Sequence, residues 1–158
     1  MTDFEALLAT LSRHQVEFLV VGGAAGIAHG SALLTQELAI VYDRAPANLD
    51  RLVAALSPHQ PYPRGAPPGL PFLWDRATLE RGLNFTLVTS LGQVDLLGEI
   101  PGGGSYRDLL PDAVELDVFQ VRCRCLSLRQ LIRAKRAAGR PRDLEALAEL
   151  EAIEEEGG

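Results

Sequence analysis

A mixed α/β domain, in which one sheet is flanked by helices, is the fold class this 158-residue sequence predicts. Three observations carry it. A short β-branched run, Glu17 to Val21, stops at Gly22-Gly23 and is followed by a helix-compatible stretch and a second apolar run, Leu34 to Tyr42. Two later segments, 84–97 and 114–125, each divide into a pair of alternating runs around a turn, as antiparallel hairpins do. Helical spacing of apolar residues recurs at the beginning, after Pro46 and toward the end of the chain.

Taken in order, Phe4, Leu7, Leu8 and Leu11 define a helix over 3–13, with Thr2 or Asp3 as its N-cap. The strand Glu17 to Val21 leads through the two glycines into a short helix, Ala24 to His29. Leu34 to Tyr42 is a second strand, and Pro46 opens a helix through Leu56. Six prolines between Ser57 and Pro71 leave no room for a regular element, so a loop or surface flap is expected there. Trp74 to Arg81 suits a short helix, with Phe72 and Trp74 covering the core. Asn84 to Thr89 and Gln93 to Leu97 form the first hairpin, turned at Leu91-Gly92, and Gly98 to Ser105 is a glycine-rich turn without the Gly-Lys-Ser of a Walker loop. Val114 to Phe119 and Val121 to Cys125 form the second hairpin. Ser127 then caps a helix that ends at Gly139, and a last helix follows Pro141. The whole chain, 1–158, reads as one domain with a core over about 15–126 and C-terminal helices over about 127–155. The strands near 17–21, 35–42 and 93–97 are expected in one sheet, with Glu37 and Asp95 converging on it.

Hydrophobic residues make up 47% and charged residues 23%, ordinary globular proportions that exclude a disordered chain. No apolar run approaches the roughly 20 residues of a membrane span. The N-terminus lacks a basic region followed by an apolar stretch, so a cytoplasmic protein is expected. Cys123 and Cys125, i and i+2 on one strand, read as reduced thiols. The formal net charge of -6 argues against a surface that coats nucleic acid. Between Val118 and Arg142, however, there are eight cations and no acid. That segment either faces phosphate or is neutralised by the acids that follow it, Asp143, Glu145, Glu149, Glu151 and Glu154 to Glu156. His14, His29 and His59 share no metal-ligand spacing.

The chemistry concentrates in Val21-Gly22-Gly23, thirteen intervening residues, and Glu37-Leu38-Ala39-Ile40. Strand period puts positions 37 and 39 on one face, where two acids can share a divalent ion, and glycines permit close backbone approach to phosphates. This arrangement resembles the nucleotidyltransferase signature, in which a hydrophobic residue and Gly-Gly or Gly-Ser precede an Asp-hydrophobic-Asp pair, with a third carboxylate on a later strand. His29-Gly30-Ser31, Thr35, Val94-Asp95-Leu96-Leu97 and the segment Lys135 to Asp143 extend the likeness to the AbiEii-type branch, which includes bacterial toxin-antitoxin and abortive-infection proteins. The likeness spans roughly 15–145.

The resemblance implies Mg2+ and a nucleoside triphosphate. Gly22, Gly23 and Ser31 would meet the phosphates, Glu37 and Asp95 the metal as catalytic carboxylates, and Lys135 the triphosphate. Lys135 is the only lysine among 15 basic residues and falls with Leu128, Leu131 and Ile132 on the apolar stripe of its helix. It needs an anion there, whether triphosphate, Asp95 or Asp143. The departure from the signature lies at its centre: Glu37-Leu38-Ala39 stands where Asp-Leu-Asp is expected. Asp43 shares the face of position 37 but sits about 20 Å along the strand, too far to substitute. Two functional classes follow. One is metal-dependent transfer of a nucleoside monophosphate to a hydroxyl of tRNA, protein or a small molecule, weakened by Ala39. The other is a catalytically silent module that binds a nucleotide or a partner protein, such as the partner of a toxin-antitoxin pair. Neither involves a membrane.

Overall fold

The structure, a computed structural model, describes residues 1–157. Asp3 caps α1 (Phe4–Arg13) by accepting from the Ala6 amide, and the chain returns as β1 (Phe18–Val21). Helix α2 (Gly22–Ala28) starts directly at the glycine pair, with Gly22 at φ +64°. Strand β2 (Glu37–Tyr42) is shorter than expected: Leu34 is exposed, the Ser31 hydroxyl and the Ala32 amide are bonded to Glu149, and sheet pairing begins at Glu37. Helix α3 (Pro46–Leu56) begins at its proline as anticipated.

The proline-rich stretch is not wholly irregular. After a 3-10 turn at Ser57–His59 it supplies a two-residue strand, β3 (Tyr62–Pro63), which pairs antiparallel with β4 (Phe85–Thr89). An edge strand is where proline is tolerated, since its missing N–H then costs no ladder bond. Between them α4 (Arg76–Arg81) is capped by Asp75. Strand β5 (Gly92–Leu97) completes the first hairpin.

The expected glycine turn proves to be a small separate hairpin, β6 (Glu99–Ile100) and β7 (Gly104–Ser105), followed by one turn of helix, α5 (Tyr106–Leu109). Gly102, at φ +73°, lies against α6: an added Cβ would come within 2.6 Å of Ala137 Cβ and 3.0 Å of the Arg133 carbonyl. Its role is close packing. Strands β8 (Val114–Val118) and β9 (Val121–Cys125) form the second hairpin. Helix α6 (Leu128–Ala138) has a Ser127–Gln130 capping box and a left-handed Gly139 at its end, and α7 (Pro141–Gly157) packs against it.

Seven strands make one mixed sheet in the order β3-β4-β5-β2-β1-β9-β8. Strands β2 and β5 run parallel in its middle, whereas β1 and β2 are antiparallel. Paired residues share a face, so Leu87, Val94 and Leu38 form one buried row, and Leu96 and Ile40 lie on the same side. Helices α1 and α3 pack together and contribute Leu7, Leu8, Leu11, Leu49, Leu52 and Leu56 to that core. The alternate residues, Glu37, Ala39, Gln93, Asp95, Thr86 and Val88, look the other way and stay partly or fully exposed. The alternation in sequence thus separates the buried face of the sheet from the open one. Leu38 is fully buried directly beneath that face, and Leu38→Ala should lower stability by about 2–5 kcal/mol. Chemical denaturation with an unchanged m-value would show it.

Candidate functional site

Strand register decides which residues of the open face meet. Across β2 and β5, Ala39 is opposite Asp95 and Glu37 is opposite Gln93. Glu37 and Asp95 are therefore on one face but diagonal, about 8 Å apart at their Cα atoms from strand spacing and rise. The position that faces Asp95 directly holds a methyl group. The row continues outward through Thr86 on β4, opposite Asp95, and inward to Val21 on β1, opposite Ala39.

Asp95 already has a cation. Arg64, which follows β3, donates from Nη2 to Asp95 Oδ1 at 2.7 Å, to the Leu87 carbonyl at 2.9 Å and to the Val94 carbonyl at 3.3 Å. Its own amide donates to the Thr86 carbonyl at 2.9 Å. The side chains of Arg64 and Asp95 are 28% and 19% exposed, so the pair is substantially shielded from water. Arg64 Nε is buried there with no hydrogen-bond partner. This arginine carried no signal in the sequence, where it appears as a lone cation among prolines. What could have exposed it is the three-residue alternation Tyr62-Pro63-Arg64 extended alongside a hairpin.

The glycine pair sits at the junction of β1 and α2, against β2 and the loop before it. An added Cβ on Gly22 would be 3.4 Å from Ala39 Cβ, and one on Gly23 would be 2.7 Å from Thr35 Cβ and Oγ1. Ser31 is a different case. Its hydroxyl donates to Glu149 Oε1 at 2.5 Å, and the Ala32 amide donates to Glu149 Oε2 at 2.9 Å. These two bonds hold the Glu149 carboxyl below its usual pKa range and tie α7 to the loop after α2. A carboxylate occupies the donors that a phosphate would need.

Of its three candidate anions Lys135 pairs with Asp143 rather than with Asp95. Its Nζ lies 3.5 Å from Asp143 Oδ1, and Arg140 Nε donates to Asp143 Oδ2 at 2.6 Å. The Asp143 side chain is 1% exposed. Burial pushes its pKa up, but the Arg140 hydrogen bonds and the Lys135 and Arg140 charges outweigh this and hold it below the usual value. The basic segment is largely neutralised within the fold: Arg122 pairs with Asp117, Arg124 with Glu17, Arg136 with Glu151, and Lys135 and Arg140 with Asp143. His29 Nε2 donates to the Leu126 carbonyl, a structural role. The two cysteines are free and buried, with burial pushing Cys123 up to about 11 and Cys125 up to about 12.

A magnesium ion needs near-octahedral oxygen ligands at about 2.0–2.1 Å. The open face offers one carboxylate that is ion-paired and a second displaced along the neighbouring strand. Among the described residues no group of three or more His, Cys, Asp or Glu side chains is placed to hold a metal. The residues present do not fit a divalent ion. Two surface concavities, neither lined by Glu37 or Asp95, are bounded one by Met1 to Glu5, Phe119 and Gln120, the other by residues including Tyr42, Arg44, Tyr106 and Arg107. No described helix is long and apolar enough to cross a membrane.

Asp143 gives a test of the helix pair that carries Lys135. A carboxylate whose folded pKa lies below its unfolded value stabilises the protein above the unfolded value, and that contribution fades as pH falls through the folded one. Asp143→Asn should therefore cost about 1.5–3 kcal/mol at neutral pH. The difference from the parent chain should shrink below about pH 4, where free aspartate protonates, as urea titrations across pH would record.

No protein-family profile matches the chain, and no curated protein matches it. Among solved structures, the chain is similar to a Thermotoga maritima protein assigned provisionally as a nucleotidyltransferase, with a TM-score of 0.59 and 14% identity over 94% of each chain. The topology and the open-faced mixed sheet together make the fold nucleotidyltransferase-like.

Proposed function

We propose that this protein is a catalytically silent member of the nucleotidyltransferase architecture, one that acts as a binding module toward a partner protein or a nucleotide. The observation that carries this reading is Ala39 opposite Asp95 in the β2–β5 register. Two-metal phosphoryl transfer depends on carboxylates shared between ions about 3.5–4 Å apart, one ion on the attacking oxygen and one on the leaving group. Ala39 offers no oxygen, and Glu37 is displaced by two residues along β2. The ion pair from Arg64 to Asp95 supports the same reading, because it spends the best-placed carboxylate on structure.

The competing reading is transfer of a nucleoside monophosphate from Mg-NTP to a hydroxyl of tRNA, protein or a small molecule. It requires ligands that this face lacks. Silence of the chemistry leaves the rest of the surface intact, which suits a regulatory partner of the kind found in a toxin-antitoxin pair. The phosphate role suggested for Ser31 and the triphosphate role suggested for Lys135 would each require breaking an existing contact, to Glu149 and to Asp143.

Labelled NTP incubated with Mg2+ and tRNA, protein and aminoglycoside acceptors should show no transfer by the parent chain. Ala39→Asp should raise transfer, and Glu37→Asp with Ala39→Asp should raise it further, because a carboxylate misplaced by about 1 Å can cost roughly a hundredfold. Robust transfer by the parent chain that the double variant fails to improve would overturn the reading.

A further inference from the structure

We infer that Arg64 is a built-in replacement for a divalent cation on this face: its guanidinium occupies the cation position beside Asp95 and closes the site to metal and to metal-nucleotide complexes. The inference takes from the preceding section only the identity of the carboxylates. It concerns what holds them.

The first support is distance. An ion bound to Asp95 Oδ1 at the usual magnesium–oxygen length would lie within about 5 Å of Arg64 Nη2, because that nitrogen is itself 2.7 Å from the same oxygen. A dication and a guanidinium repel strongly at that separation, and the shielding of the pair from water reduces the screening. A metal that enters does so against this repulsion, so its affinity is lowered for as long as Arg64 stays in place.

The second support is the cost of leaving. Arg64 Nη2 is held by three acceptors, two of them main-chain carbonyls of β4 and β5, which the carboxylate alone does not explain. Its amide extends the β3–β4 ladder by one bond to Thr86. Displacing the side chain would therefore loosen the edge strand and the proline-rich segment that follows. Its guanidinium remains charged throughout the accessible pH range. The cation thus arrives covalently with the edge strand and cannot be removed by a chelator.

The third support is the complementary shape of the face. A methyl group at position 39 adds no charge opposite Asp95, whose Oδ1 is met by one contact from the Arg64 guanidinium. An aspartate at 39 would put a second anion opposite the first. One monovalent cation would then be insufficient, so Ala39 and Arg64 are consistent with each other as a matched pair.

The test reads metal occupancy and needs no turnover. Mn2+ titrated into the isotopically labelled parent chain should leave the amide resonances of Glu37, Ala39, Thr86 and Asp95 unbroadened, and EDTA should not change its thermal midpoint. Selective broadening of those four amides at submillimolar Mn2+ would overturn the inference. In parallel, Glu37→Asp with Ala39→Asp is compared with the same pair plus Arg64→Gln. The triple variant should bind Mn2+ at least about tenfold more tightly than the double, because it removes a cation next to the new site. Equal affinity would overturn the inference. Should the triple variant fail to fold, Arg64→Gln in the parent chain is compared with the double variant's Mn2+ titration, and broadening in the unaltered parent would still overturn the inference. Nucleotide transfer by the parent chain bears on the proposed silence, whereas Mn2+ broadening bears on Arg64, so the two can fail separately.

Discussion

The parallel pairing of β2 with β5 is the constraint on which the rest of the site depends. These strands are distant in sequence, yet their register fixes every neighbour relation on the open face. Shifting it by one residue would bury Asp95 and Ala39 and expose Val94 and Leu38, which the core forbids, since Leu38, Val94 and Leu96 are fully buried. The register is also pinned from outside the sheet. The Thr2 hydroxyl donates to the Gln36 carbonyl and accepts from the Gln93 amide, bridging the starts of both strands. Hydrophobic burial on one side therefore dictates which polar groups meet on the other.

Charge in this protein is spent locally. The eight cations between Val118 and Arg142 resemble a phosphate-binding surface in the sequence, but five of them pair with acids from β8, α7 and the end of α1–β1. Several of these pairs are exposed and contribute little stability individually. Asp143 differs because it is buried between Lys135 and Arg140, where an unpaired carboxylate would be costly. Arg64 and Asp95 repeat the pattern on the sheet. In both places a carboxylate is fixed by arginine contacts rather than left open to a ligand.

The sequence exposed the features that have a period or a cap. Asp3, Pro46, Ser127 and Gly139 mark helix ends where they occur, and the alternation in 114–125 resolves into β8 and β9. It also placed Glu37, Ala39 and Asp95 on one sheet. It did not reveal the diagonal offset of Glu37 from Asp95, because register between distant strands is set by packing and not by either strand alone. Arg64 was hidden for a related reason. A strand of two residues has too little alternation to read, and six prolines argue for a loop unless the segment lies at a sheet edge. The anion for Lys135 was among those expected, since Asp143 follows one turn and a helix boundary later.

The Gly22-Gly23 pair has a structural reason independent of any chemistry. Gly22 takes a left-handed conformation at the junction of β1 and α2, which disfavours any side chain there, and a Cβ added to it would meet Ala39 Cβ at 3.4 Å. Gly23 passes so near Thr35 that even a methyl group would collide with its side chain. The strand-to-helix turn thus requires two glycines to bring α2 against β2, whether or not a phosphate ever binds. A glycine pair in this fold therefore reports the geometry of the turn. Across from it, Thr35 packs against Gly23, and the side chain that a Cβ on Gly22 would meet is the methyl group of Ala39.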